Sequence, residues 1–97
     1  MNAGQSKITL SSVVGQRKTA VSSIVDGEAV ILSIDSGSFY RLNGVGSRIW
    51  RTLQDETEVA RLCDWAHDTF RAEPEVCDRD VLEFLNEIND QGLITVR

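Results

Sequence analysis

From Ala20 to Leu42 the apolar residues come in short β-branched runs interrupted by Gly, Asp and Ser, whereas from Asn43 onward they recur every three or four positions. That change of period predicts a strand-rich first half and a helix-rich second half, an α+β arrangement. Ala20 to Val25 and Glu28 to Ile34 are joined at Asp26-Gly27. Asp-Gly between two such runs is a strong hairpin signal, because Gly accepts the positive φ of a tight primed turn. A second turn, Asp35-Ser36-Gly37-Ser38, leads into Phe39-Tyr40-Arg41-Leu42, which completes a three-stranded antiparallel meander. Residues 1–18 are read as loose or as adding one short strand at Lys7 to Leu10, followed by a polar connection through Gly15-Gln16-Arg17-Lys18.

Three helices are predicted to follow. Asn43 stands where an N-cap belongs, and Val45, Ile49 and Leu53 recur at a spacing of four with Trp50 beside them, giving a helix from Gly44 to Leu53. A second helix is expected near Glu56, with Asp55 and Glu58 as a capping-box variant and Val59, Leu62, Cys63, Ala66 and Phe70 on one stripe. The third starts at Pro74, a residue favoured in the first helical turn. It carries a stripe of Cys77, Val81, Phe84, Leu85 and Ile88, and ends at Gly92. Leu93 to Val96 is expected to add a short closing strand. Three helices with a small sheet give a winged helix-turn-helix-like plan.

Composition narrows the function. Ninety-seven residues fit a single domain spanning 1–97, and 41% hydrophobic with 26% charged residues suits a chain that folds on its own. The net charge of -5 opposes binding to phosphate backbones and anionic membranes. No charged-then-apolar leader opens the chain and the longest apolar run, Ala29 to Leu32, is too short to span a bilayer, so a cytoplasmic location is expected. Cys63 and Cys77 form no paired-cysteine motif and read as small core residues.

Little in the chain suggests catalysis. His67, the only histidine, lies among Asp64, Asp68 and Arg71 and reads as a solvated surface residue. Phosphate-cradle, dinucleotide and nucleophile-elbow motifs are absent, and neither an enzyme nor a cofactor is implied. The alternative is a winged-helix DNA-binding regulator, with the third helix as the recognition element. Glu75, Asp78, Asp80, Glu83, Glu87 and Asp90 against Arg79 give that helix the wrong charge for a DNA groove.

A family signature emerges at Leu42-Asn43-Gly44-Val45-Gly46-Ser47-Arg48-Ile49-Trp50. Together with Asp26 to Leu32, the turn at Gly37 and the aromatic pair Phe39-Tyr40, this L-N-x-x-G-x-x-I-W segment resembles the PqqD-like proteins. The resemblance runs from about Val25 through the Pro74 helix to Gly92-Leu93-Ile94, with Glu73 where the family often has Asp or a similar cap. Within the signature, Leu42, Ile49 and Trp50 are expected in the core, with Asn43 as cap and Gly46 allowing helix and strand to approach.

The resemblance implies a peptide-recognition element of ribosomal peptide maturation. Such a protein binds a precursor's leader peptide by strand addition and presents it to a processing enzyme. A leader peptidase of a lasso-peptide pathway is the favoured partner and a radical enzyme of a quinone-cofactor pathway the next. On this chain the matching edge is Ser38, Phe39, Tyr40, Arg41 and Leu42. The facing wall is Val81, Phe84, Leu85 and Ile88, with Arg79, Glu83 and Glu87 at the rim. Edge strands also pair between protomers, so monomer and dimer both remain open.

Overall fold

The computed structural model describes residues 8–71 and 73–97. Its elements run β1 (Val13–Gln16), β2 (Ala20–Val25), β3 (Glu28–Ser33), β4 (Phe39–Arg41), α1 (Gly44–Thr52), β5 (Thr57–Glu58), α2 (Val59–Phe70), α3 (Pro74–Asp90) and β6 (Ile94–Val96). Strands β2, β3 and β4 form the expected meander in that order. The β2–β3 hairpin closes through Asp26 and Gly27, both at positive φ (53° and 81°), and Val25 pairs directly with Glu28. This is the primed turn whose twist matches that of the flanking strands.

A second three-stranded sheet, in the order β5-β1-β6, departs from the sequence expectation. The early strand lies at Val13–Gln16, within the stretch read as a polar connection, and not at Lys7 to Leu10. Lys7 lies outside the described residues; Ile8 is buried without strand pairing, and Leu10 and Ser11 form a turn. Strand β1 shows little periodicity because it is central, paired with β5 on one side and β6 on the other. Gly15 lets Glu56 approach, since a Cβ there would stand 3.1 Å from the Glu56 Cγ.

Helix α2 begins at Val59 rather than near Glu56, because Thr57 and Glu58 pair with Val14 and Val13. The Asp55–Glu58 capping box does not form; Glu58 makes no side-chain cap bond. Instead the first amides of α2 donate to main-chain carbonyls, Val59 N–H to Ser12 and Ala60 N–H to Leu10, both at 2.9 Å. Helix α3 starts at Pro74 with no side-chain cap from Glu73. It ends in a Schellman motif: Leu93 N–H donates to the Ile88 carbonyl and Gly92 N–H to that of Asn89, with Gly92 at φ 75°.

Both sheets and all three helices share one apolar core, with Val14, Ile31, Trp50, Leu62, Leu85 and Ile94 among its fully buried side chains. The junction between β4 and α1 is built by Asn43 and Ser47. Asn43 Oδ1 accepts the Gly46 N–H at 2.8 Å and caps α1 as expected. The buried Ser47 Oγ accepts the Ala29 N–H (2.7 Å) and donates to the Leu42 carbonyl (3.1 Å). Its hydroxyl therefore sits in what would be the next rung of the β3–β4 ladder, ending the strand where the chain turns into the helix.

Candidate functional site

The site is built on an open strand edge. Arg41 is opposite Val30, Tyr40 opposite Ile31 and Phe39 opposite Leu32. The Leu42 N–H donates to the Ala29 carbonyl and the Ser33 N–H to that of Ser38. Hydrogen-bonded and non-hydrogen-bonded pairs alternate in an antiparallel ladder, so Phe39 and Arg41 direct their N–H and C=O groups away from β3. Among the described residues no strand pairs with that side. A three-residue edge offers two donors and two acceptors at alternate positions.

Beside this edge lies a groove of about 410 Å³ between the start of α1 and one face of α3. Val45, Ile49 and Phe70 form one apolar part of its lining, and Val81, Phe84 and Cys77 another. Val45 is 52% exposed although it shares the spacing of the buried Ile49 and Leu53; it sits at the start of α1, where that helix borders the groove. Gly46 serves an approach different from the one expected. A Cβ there would stand 3.1 Å from Phe84 Cε1, so the close contact is between α1 and the ring from α3.

Polar groups border the groove at Arg41, Asp80 and Glu87. Arg41 Nε donates to Glu28 Oε1 at 2.7 Å, which partly neutralises the cation on the strand side. Asp80, Phe84 and Glu87, at spacings of four and three, share one face of α3. Cys63 and Cys77 are free and buried as expected. Burial, reinforced by Asp78, pushes the Cys63 thiol up to about 12, and burial with the charges of Asp78 and Asp80 raises that of Cys77. At neutral pH Cys77 therefore presents an uncharged thiol to the groove.

Of the nine site residues read from the sequence, Arg41, Leu42, Val81 and Phe84 line the groove. Phe39 supplies outward amide groups while its ring is 70% exposed on the opposite face from Tyr40, which packs half-buried against the core. Ser38 is turned inward by its carbonyl bond to Ser33. Leu85 and Ile88 are corrected: both are fully buried core residues and neither is among the side chains that line the groove. Sequence reasoning missed Asn43, Val45, Gly46, Ile49, Phe70, Cys77 and Asp80 as lining residues. Cys77 and Asp80 left a legible signal, at spacings of four from Val81 and Phe84.

Among the described residues no group of three His, Cys, Asp or Glu side chains is placed to hold a metal ion, and no helix is long and apolar enough to cross a membrane. The family model described as "Coenzyme PQQ synthesis protein D (PqqD)" matches residues 28–94, from the start of β3 into β6. The chain belongs to the PqqD family. Two solved structures share the fold of this PqqD-family chain. "TbiB1 in Complex with the TbiA(beta) Leader Peptide" is 26% identical, with a TM-score of 0.77, covering 82% of this chain and 93% of that one. "Lasso peptide synthetase B1 complexed with the leader peptide" is 20% identical, with a TM-score of 0.74, covering 84% and 96%. A search of curated proteins found no significant match.

Proposed function

We propose that this PqqD-family chain is a non-catalytic adaptor that captures the leader of a ribosomally made precursor peptide and presents it to a processing enzyme. The observation that carries this reading is the adjacency of the open β4 edge and the apolar groove. An extended peptide pairing with Phe39 and Arg41 gains up to four backbone hydrogen bonds worth a net ~1 kcal/mol each. Alternate side chains of that strand point into the groove, where Val45, Phe70 and Phe84 offer apolar contact. Two fold neighbours recorded with leader peptides favour a lasso-peptide pathway and its leader peptidase as partner. The radical enzyme of a quinone-cofactor pathway is next, in keeping with the family's description. Such a protein works in the cytoplasm, where precursors are made.

Titration with the synthetic leader of a precursor encoded beside this chain tests the reading. Saturable binding is expected, and Val45→Asp, at an exposed position that does not threaten folding, weakens it by about tenfold, equivalent to about 1.4 kcal/mol. A leader that binds wild type and Val45→Asp equally well places the site elsewhere.

A further inference from the structure

A second cleft, of about 360 Å³, is lined by Arg48, Arg51, Thr52, Gln54 and Trp65. It lies along a different side of α1 from the peptide groove, which takes Val45, Gly46 and Ile49 from that helix. Its lining sets two arginines together with no acidic side chain among them. The chain carries 15 acidic against 10 basic side chains, and Arg41, Arg79 and Arg97 each have a carboxylate within 4.0 Å. Among the described residues Arg48 and Arg51 have none within that distance, nor do Arg17, Lys18, Arg61 and Arg71, but these two stand on the same side of α1 at i and i+3, where like charges repel. The α1 dipole favours Arg51 in the last turn but does not account for Arg48 in the turn before.

Arg48 is held in place by an aromatic pair. Its guanidinium carbon lies 5.1 Å from the Phe70 ring centroid, and Phe70 meets Trp65 edge-on at 5.7 Å and 83°. A cation over a ring is attracted by the ring's quadrupole, which fixes the guanidinium and reduces the freedom lost when it binds an anion. We infer that the Arg48–Arg51–Trp65 cleft is a docking site for an acidic segment of a partner polypeptide, which sets two carboxylates against the two guanidinium groups. Guanidinium forks match carboxylates in geometry, the half-buried Trp65 ring can carry the aliphatic stems of Glu side chains, and Gln54 adds an amide at the rim. A nucleic acid brings a long run of phosphates into the field of a chain with net charge -5, whereas a short acidic segment needs only the local cation pair.

The site can be tested on the chain with nothing in the peptide groove, so its failure is distinct from failure of the adaptor reading. Acetylated tetraglutamate amide is titrated while tryptophan emission is followed; Trp65 reports, because Trp50 is only 1% exposed. Calorimetry on a Trp65→Phe variant checks binding without that fluorophore. Saturable binding is expected, weakened by added salt and by about tenfold or more in R48Q/R51Q. Lys18→Gln, which removes one positive charge elsewhere on the surface, leaves it unchanged. The proposal is overturned if tetraglutamate has no effect on either readout, if R48Q/R51Q binds as well as wild type, or if inorganic phosphate or oligouridylate binds as tightly as the peptide.

Discussion

The two sheets are of equal strand number and opposite character. In the β2-β3-β4 sheet every pairing joins neighbours in the chain, and its last strand leaves an edge open beside a groove. In the β5-β1-β6 sheet every pairing is remote: β1 joins Val14 to Thr57 and Gly15 to Thr95, and Arg97 closes on Val13 through both main-chain bonds. The local sheet presents the edge; the remote sheet ties the early strand β1 to β5 and β6. Binding and stability are thus separable, and substitutions in the two regions should fail in different ways.

The largest expected effect lies on the stability side. Leu85→Ala, at a fully buried position on the core face of α3, should cost about 2–5 kcal/mol in denaturant unfolding. Ser47→Ala should cost about 2 kcal/mol, because the buried Ala29 N–H and Leu42 carbonyl lose their shared hydroxyl partner. It should also loosen the end of β4, visible as faster exchange of the Ala29 amide.

On the binding side, Arg41→Pro should separate edge from ladder. The Arg41 N–H points away from β3, so proline removes a donor from the open edge without removing a β3–β4 hydrogen bond. Leader affinity should fall by about tenfold relative to Arg41→Gln, which keeps the amide, while the two variants unfold at similar denaturant concentrations. Leu42→Pro would not make this distinction, since the Leu42 N–H is bonded to Ala29.

The smallest effect concerns the Arg97–Glu56 pair, which joins the chain's last residue to the loop before β5 at 2.7 Å. The hydrogen bond and then the charge of Arg97 lower the Glu56 pKa below its ordinary 4.5. A carboxylate depressed in the folded state contributes stability above its unfolded value and loses it as pH falls through the folded one. The stability difference between wild type and Arg97→Gln should therefore be present at neutral pH and shrink below about pH 4.5, as followed by thermal unfolding.

The same contrast explains what was legible in the sequence. Asp26-Gly27, Asn43, Pro74 and Gly92 act through their own backbone or their nearest neighbours, so turn, cap, helix start and helix end could all be read locally. Val13–Gln16 and Thr57–Glu58 become strands only because distant segments meet them, and Ser47 matters only because a strand rung lies within reach of its hydroxyl. At the site, the pattern supplied the meander and the α3 stripe, and the family resemblance implied that the edge at Ser38 to Leu42 and the helix carrying Phe84 face a peptide. Which side chains of that stripe line the groove and which fill the core depends on packing between distant segments, so the burial of Leu85 and Ile88 and the place of Val45 at the groove could not be read locally.

Residue-resolved amide exchange, measured with and without saturating leader peptide, tests strand addition at β4 most directly. Without peptide, Tyr40 and Leu42 should already be protected by the ladder to β3, while Phe39 and Arg41 exchange freely. With peptide bound, Phe39 and Arg41 should gain strong protection and their neighbours change little. Saturated binding that leaves the Phe39 and Arg41 amides exchanging as before would contradict strand addition at this edge.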